Sequence, residues 1–245
     1  DSAFVDVQQV IADAWPDTVR EIITAGDQLK ITPAVIHLLR RFDGCVLENH
    51  YGPTETHVVT AYRLEGDPAQ WPALPAIGRP LPGVRAYVLD GEGRPAPVGV
   101  PGELAIGGIA VARGYLHQDA LTRERFVADP FDAAPGARMY RTGDLVRWRA
   151  DGELEYLGRN DFQIKVRGHR VEPGEIETRL ATHPAIREAA VLAFDDGADR
   201  RLVCYFTHAG DAAPEAAELR EYVAAALPEY MVPAAFVPMP ALPLS

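Results

Sequence analysis

Three polar, glycine-punctuated blocks carry the residue types able to do chemistry in this chain: ENHYGPTET at 48–56, YRTGDL at 140–145 and GRNDFQIKVRGHR at 158–170. In the first, Tyr51 offers a flat face for a base and Gly52 and Pro53 shape a tight turn. Thr54 presents a hydroxyl to a phosphate oxygen, and Glu55 supplies a hard oxygen ligand for Mg2+. In the second, Asp144 is a carboxylate that fits both hydroxyls of a ribose, a charged acceptor whose removal costs about 1.5–3 kcal/mol. In the third, Arg159 adds a donor fork for ribose or phosphate oxygens, and Tyr156 just before it is placed to line a nucleoside. Such a set suits the making of an acyl adenylate, in which a carboxylate attacks the α-phosphate of ATP and catalysis is mostly positioning and electrostatics. Each residue also has a plain structural reading: Thr54 as a helix N-cap, Asp144 as a turn aspartate after Gly143, Arg159 as a surface arginine and Tyr156 as a core tyrosine.

Other candidates carry less. The stretch IGGIAVARG at 106–114 is glycine-rich but lacks the lysine and serine or threonine of a phosphate-binding loop, and reads as strand and turn. His50, His57 and His169 have no metal-ligand spacing, and no Ser, His and Asp arrangement stands out for nucleophilic catalysis. Cys45 and Cys204 are far apart and in no CxxC pattern, which points to buried free thiols of a reducing cytosol rather than to a disulfide or zinc framework. A net charge of -11 and a pI near 5.1, with basic residues dispersed, argue against nucleic acid or an anionic membrane as partner. The longest apolar runs are too short to span a bilayer, and the first residues lack the regions of a signal peptide, so the expected location is cytoplasmic.

The elements that must position these residues follow from periodicity and turn chemistry. A helix is expected from Val7 to Trp15, a strand over Glu21–Thr24 running into Ala25 and Gly26, a helix from Thr32 and Pro33 through Arg41, and a strand over Cys45–Glu48. That is part of a parallel α/β layer, where ligands sit beyond the carboxyl ends of strands. From Tyr62 onward prolines and glycines are dense and strands short, at Arg85–Leu89 and Glu103–Ile106, with hairpin signals at Asp90-Gly91 and Asp151-Gly152. The second of these joins Val146–Trp148 to Leu154–Leu157, bringing YRTGDL close to GELEYLGR. After Arg159 a small α+β unit is expected, with strands at Gln163–Arg167, Ala189–Phe194 and Leu202–Phe206 and helices at Pro173–Ala181 and Pro214–Ala226. The fold class is therefore α/β (1–62) plus a β-rich subdomain (63–160), then a small α+β domain (161–245), with the boundary at Asn160 and Asp161. A hydrophobic content of 47% over 245 residues is ample for these cores.

Six segments in this order resemble the adenylation domains of nonribosomal peptide synthetases, in the superfamily of acyl-CoA synthetases and luciferases: ITAGDQL, NHYGPTETHVV, GELAIGGIAVARGYL, YRTGDL, GRNDFQIKVRGHRVEPGEIE and LPEYMVP. The resemblance implies a nucleotide site of Gly26, Asn49, Tyr51, Thr54, Asp144, Tyr156 and Arg159. Within it Asn49 and Tyr51 would contact adenine, Thr54 the α-phosphate, Glu55 the magnesium, and Asp144 with Arg159 the ribose diol. It also implies that Asp161 is a hinge for the small domain, which would bring the segment Lys165–Arg170 towards the nucleotide for transfer of the acyl group to the pantetheine thiol of a peptidyl carrier protein. The positions matching the amino-acid pocket are Ile23, Ala25, His50, Val58 and Val59, a small apolar series resembling that of proline-activating domains.

The chain departs from the family pattern in lacking a glycine-, serine- and threonine-rich phosphate loop and the upstream aspartate that pairs with the substrate amine. It also stops before the expected catalytic lysine. It therefore reads as the C-terminal portion of an adenylation domain, inactive alone, whose complete form uses ATP and Mg2+ to make an aminoacyl adenylate. The rival readings are an acyl-CoA synthetase of the same superfamily and a noncatalytic fragment that binds a carrier protein.

Overall fold

The computed structural model describes residues 18–42, 44–160, 163–166, 169–195, 200–210 and 212–242. The expected Val7–Trp15 helix and the Asp161 hinge lie outside these residues, as do residues 167 and 168 of the Lys165–Arg170 segment. Strand β1 (Glu21–Thr24) pairs parallel with β2 (Val46–Tyr51) across helix α1 (Pro33–Arg40), the expected β-α-β start. Thr32 caps α1 by accepting from the Val35 amide at 3.3 Å, and Pro33 occupies the first turn, where no amide hydrogen is needed. Leu29, Val35, Leu39, Phe42, Leu47 and Leu64 close the apolar cluster beneath.

Strand β2 runs three residues beyond its expected end at Glu48. The extension exists because β3 (Thr60–Leu64) pairs antiparallel with it, from Leu47↔Leu64 to Tyr51↔Thr60, and β4 (Arg79–Pro80) continues the sheet. Alternation along β2 buries Leu47, Asn49 and Tyr51 on one face and leaves Glu48 and His50 half-buried on the other.

A second, antiparallel sheet follows: β5 (Val84–Leu89), β6 (Gly102–Gly108), helix α2 (Asp119–Arg125), β7 (Phe126–Ala128), β8 (Arg138–Trp148) and β9 (Leu154–Arg159). Its order is β5-β6-β8-β7, with β9 pairing Asp144–Trp148 of β8 on the same edge as β7, beyond the residues that β7 pairs. The Asp151-Gly152 signal is the β8–β9 turn, where the Gly152 amide donates to the Arg149 carbonyl at 3.0 Å. The Asp90-Gly91 signal is a local turn in which Asp90 Oδ1 accepts from the amides of Glu92 and Arg94, both at 2.9 Å. The stretch 106–114 is the end of β6 and the turn after it, as its composition suggested.

The two sheets are stitched together at Ile77 and Gly78. The Ile77 amide donates to the Leu154 carbonyl at 2.8 Å, and the Leu154 amide donates to Gly78 at 2.9 Å. Gly78 sits at φ +84 with the Ala61 carbonyl where a Cβ would be, so the close approach needs glycine. Tyr51, Val59 and Ile77 from one sheet then share a core with Val88, Leu104, Ile106, Val146 and Leu154 from the other.

The division between the two compact units of the chain falls after residue 161. The second unit opens on the hairpin β10 (Ile164–Val166) and β11 (His169–Val171), followed by α3 (Pro173–Ala181), β12 (Ile186–Asp195), β13 (Arg200–His208), α4 (Ala216–Ala224) and β14 (Ala235–Pro238). β12 and β13 are antiparallel, whereas β14 returns parallel to β13. Ile176 and Leu180 of α3 and Leu219 and Val223 of α4 cover Val191, Leu202, Cys204 and Phe206 on one sheet face.

Both cysteines are buried free thiols, and burial pushes Cys204 up to about 12. Native protein at pH 8 is expected to leave Cys204 unmodified by iodoacetamide, while unfolded protein is alkylated, as peptide mass mapping will report. The raised value also fixes a pH dependence. Stability from the protonated thiol is full below the unfolded value near 9 and is lost as pH climbs towards 12, because the unfolded chain releases the proton first. No helix among the described residues is long and apolar enough to cross a membrane.

Candidate active site

Asp144 is placed by an irregularity in β8. Gly143 adopts φ +74, and the ladder shifts register between Leu145 and Val146 against β9 and between Glu103 and Ala105 of β6. Thr142 Oγ1 donates to the Leu104 carbonyl at 2.7 Å and accepts from the Asp144 amide at 3.0 Å. The Gly143 amide donates to Glu103 Oε1 at 3.2 Å, and the Gly143 carbonyl accepts from the Asn160 amide at 2.9 Å. A bulge of this kind re-aims a side chain, here turning a carboxylate inwards.

Asp144 as a whole is 3% exposed. Arg159, its cross-strand partner on β9, donates through Nη1 to Asp144 Oδ1 at 2.6 Å and through Nη2 to the Thr142 carbonyl at 3.0 Å. The Tyr51 hydroxyl, from the end of β2 in the other sheet, donates to Asp144 Oδ2. Burial first, and the Asp144 charge next, hold the Tyr51 phenol well above its ordinary range, so it stays a donor at neutral pH. Tyr156 is half-buried, with its ring centroid 6.4 Å from that of Tyr51. Asp144 and Arg159 are thus a buried ion pair, not a turn aspartate and a surface arginine.

The segment after Tyr51 turns sharply through Gly52, Pro53 and Thr54 and begins no helix, so Thr54 is not an N-cap. Thr54 is exposed and Glu55 is 7% exposed. Glu55 Oε1 accepts from the Tyr115 hydroxyl at 2.6 Å, which lies 3.4 Å from the Tyr140 hydroxyl, while the Glu55 carbonyl accepts from the Ala112 amide at 3.0 Å. Tyr140 and Asp144 both belong to β8. One strand therefore anchors each end of the Tyr51–Glu55 turn, about 13 Å apart along its length at 3.3 Å per residue.

The remaining sequence-selected residues divide by face. Asn49 is 3% exposed, on the Tyr51 face of β2, and donates to the Ala76 carbonyl at 2.9 Å. His50 lies on the opposite face, 2.8 Å from Glu48, whose carboxyl is held below the usual range by that hydrogen bond and by Arg63. Ile23 is 55% exposed at the end of β1, and Ala25 and Gly26 (φ +99) are exposed just beyond it. Val58 is half-buried, whereas Val59 is fully buried in the core shared by the two sheets. Thus Tyr51, Asp144, Arg159 and Tyr156 come together and Glu55 joins them through β8, while Ile23, Ala25, Gly26 and His50 lie at the other face or beyond the end of the parallel strand pair.

Sequence reasoning missed Tyr115, Tyr140, Thr142 and Glu103 as parts of the site. Only Thr142 carried a local signal, since a threonine two residues before an aspartate commonly closes a side-chain turn. No cluster of three His, Cys, Asp or Glu able to hold a metal occurs among the described residues. The single carboxylate of Glu55 still fits Mg2+, which takes one or two carboxylates and completes its shell with phosphate oxygens and water. A separate open cavity on the second unit is lined by Arg187, Glu188, Thr207, His208 and Met239, and none of the sequence-selected residues lines it.

Residues 6–116 match the family model for AMP-binding enzymes, and residues 175–245 match that for the AMP-binding enzyme C-terminal domain. The chain is 47% identical over 243 residues to Tyrocidine synthase 2 of Brevibacillus parabrevis, covering 99% of this chain and 7% of that protein. It is 52% identical over 204 residues to a dimodular nonribosomal peptide synthase of Bacillus subtilis (strain 168), covering 82% of this chain and 8% of that one. Among solved structures it is similar to PA1221, an NRPS protein containing adenylation and PCP domains, at 32% identity and a TM-score of 0.73, over 92% of this chain and 44% of that chain.

Proposed function

The chain belongs to the AMP-binding enzymes, the adenylate-forming ligases, and we propose from that premise that the protein carrying it activates an amino acid with ATP as an aminoacyl adenylate and passes it to the pantetheine thiol of a carrier protein. The observation that supports this reading is the meeting of Tyr51, Asp144, Arg159 and Tyr156, drawn from two sheets, around one buried carboxylate. Asp144 accepts from the ribose hydroxyls, which replace the Tyr51 hydroxyl as donors, while Arg159 keeps the carboxylate ionised and aimed. Tyr51 and Tyr156 give apolar ring surface for adenine, and Asn49 supplies a polar edge beside it. Thr54, exposed at the turn, serves the α-phosphate, and Glu55 holds Mg2+. When bound, that ion offsets the charge developing on the phosphate oxygens. Because this chain is net acidic at -11, its local geometry must attract the triphosphate unaided by the field of the chain as a whole.

The apolar series Ile23, Ala25, Val58 and Val59 with His50 favours proline as the amino acid. The small second unit, with Lys165 on its first hairpin and Asp161 before it, turns about that aspartate to serve the thioester step. Amino-acid-dependent exchange of pyrophosphate into ATP by the full protein is the test. Exchange stimulated most by proline is expected, with acyl transfer to a carrier protein and no acyl-CoA released in the presence of free coenzyme A. Exchange with no amino acid would remove the activity, and exchange with another amino acid alone would remove the proline assignment.

A further inference from the structure

The loop after β6 holds Glu55 by both its main chain and its side chain. The Ala112 amide donates to the Glu55 carbonyl at 3.0 Å, and three residues later the Tyr115 hydroxyl donates to Glu55 Oε1 at 2.6 Å. Tyr115 is itself fixed. Its amide donates to Thr122 Oγ1 at 2.9 Å, and its ring lies edge-on to Phe126 at 5.4 Å, which in turn packs at 5.0 Å on Tyr140. Gly114 makes the approach possible: it adopts φ +140, and a Cβ there would overlap Thr122. Burying a carboxylate is costly unless it is hydrogen-bonded, and a tyrosine donor satisfies it without neutralising its charge as a lysine or arginine would. The Tyr140 phenol, pushed up by burial and then by Tyr115 and Glu55, stays protonated beside them.

We propose that Tyr115 is a positioning residue for Glu55, fixing the rotamer in which the carboxylate meets the metal and so setting how strongly Mg2+ supports nucleotide binding. This rests on the assignment of Glu55 to Mg2+ above. The choice of a hydroxylated ring at position 115 then has a purpose beyond packing, since phenylalanine would fill the same contact with Phe126.

The test uses the full protein and calorimetric titration of ATP with and without Mg2+, alongside the Mg2+ dependence of pyrophosphate exchange. Tyr115→Phe is expected to raise the Mg2+ concentration for half-maximal exchange about tenfold, and to reduce by a similar factor the tightening of ATP binding by Mg2+. Affinity for AMP in metal-free buffer should stay within about twofold, because Tyr51, Asp144 and Arg159 are untouched. Tyr140→Phe, which removes the hydroxyl beside that of Tyr115, should shift the Mg2+ requirement the same way by about two- to threefold. If Glu55→Gln raises the requirement and Tyr115→Phe does not, the positioning role falls while the Glu55 assignment stands. If Glu55→Gln leaves the requirement unchanged, both fall. Loss of AMP binding and of near-ultraviolet circular dichroism in Tyr115→Phe would make Tyr115 a folding residue and overturn the proposal.

Discussion

Changing Asp144 to alanine is expected to destabilise the first unit by about 3–5 kcal/mol and to abolish measurable AMP binding. The Asp144 side chain is 5% exposed and that of Arg159 is 10% exposed, so their ion pair at 2.6 Å is almost out of water. Removing the carboxylate leaves the guanidinium charge where the chain cannot easily hydrate it, and it takes away the acceptor of the Tyr51 hydroxyl between the two sheets. Asp144→Asn keeps the shape and one acceptor oxygen but loses the charge and turns the other oxygen into a donor, so its cost should be nearer about 1.5–3 kcal/mol. Urea midpoints for the two variants, with AMP calorimetry, give the comparison. Wild-type stability in Asp144→Ala would mean that the carboxylate is not buried against Arg159 as described.

Gly52→Ala is expected to cost roughly 4 kcal/mol or more, through backbone overlap rather than lost contacts. A Cβ on Gly52 would coincide with the carbonyl of His57, and the atoms it meets are main-chain atoms that no rotamer change can move. The opposing residue has little give: His57 already adopts φ 56, in the left-handed region that a non-glycine residue enters at some cost. Relieving the clash must open the turn that carries Thr54 and Glu55, so Mg2+-dependent nucleotide binding should fall with stability. Gly91→Ala is the control, because nothing lies within 4 Å of its added Cβ and it has no positive φ. A midpoint change below about 0.5 kcal/mol is expected there. Equal effects at Gly52 and Gly91 would show that the 52–57 turn is not closed as described.

Local chemistry made several elements legible. The Glu21–Thr24 strand, the Thr32-Pro33 start of α1, the Pro173–Ala181 helix and the Asp151-Gly152 turn each depend on residues adjacent in sequence, and each is found. The Asp151-Gly152 turn set the β8–β9 pairing that aligns Asp144 with Arg159. Strand β3, the last three residues of β2 and the parallel return of β14 were not legible. TAYRL and AFVP are short, and their partners lie far along the chain or in a direction that no turn residue announces.

The sequence by itself determined which residue types are present, the order of the six family segments and the turns that set adjacent strands side by side, because these follow from covalent neighbours and backbone preference. Only the tertiary structure decided that Tyr51 donates to Asp144 rather than merely offering a ring, and that Tyr115 and Tyr140 support Glu55. Those contacts join residues from different strands, beside two register shifts in β8, one around Gly143 and one between Leu145 and Val146, and a glycine-permitted approach at Gly78. A hydrogen bond depends on the distance between its atoms, and when the partners are far apart in sequence that distance is set by packing of the whole unit.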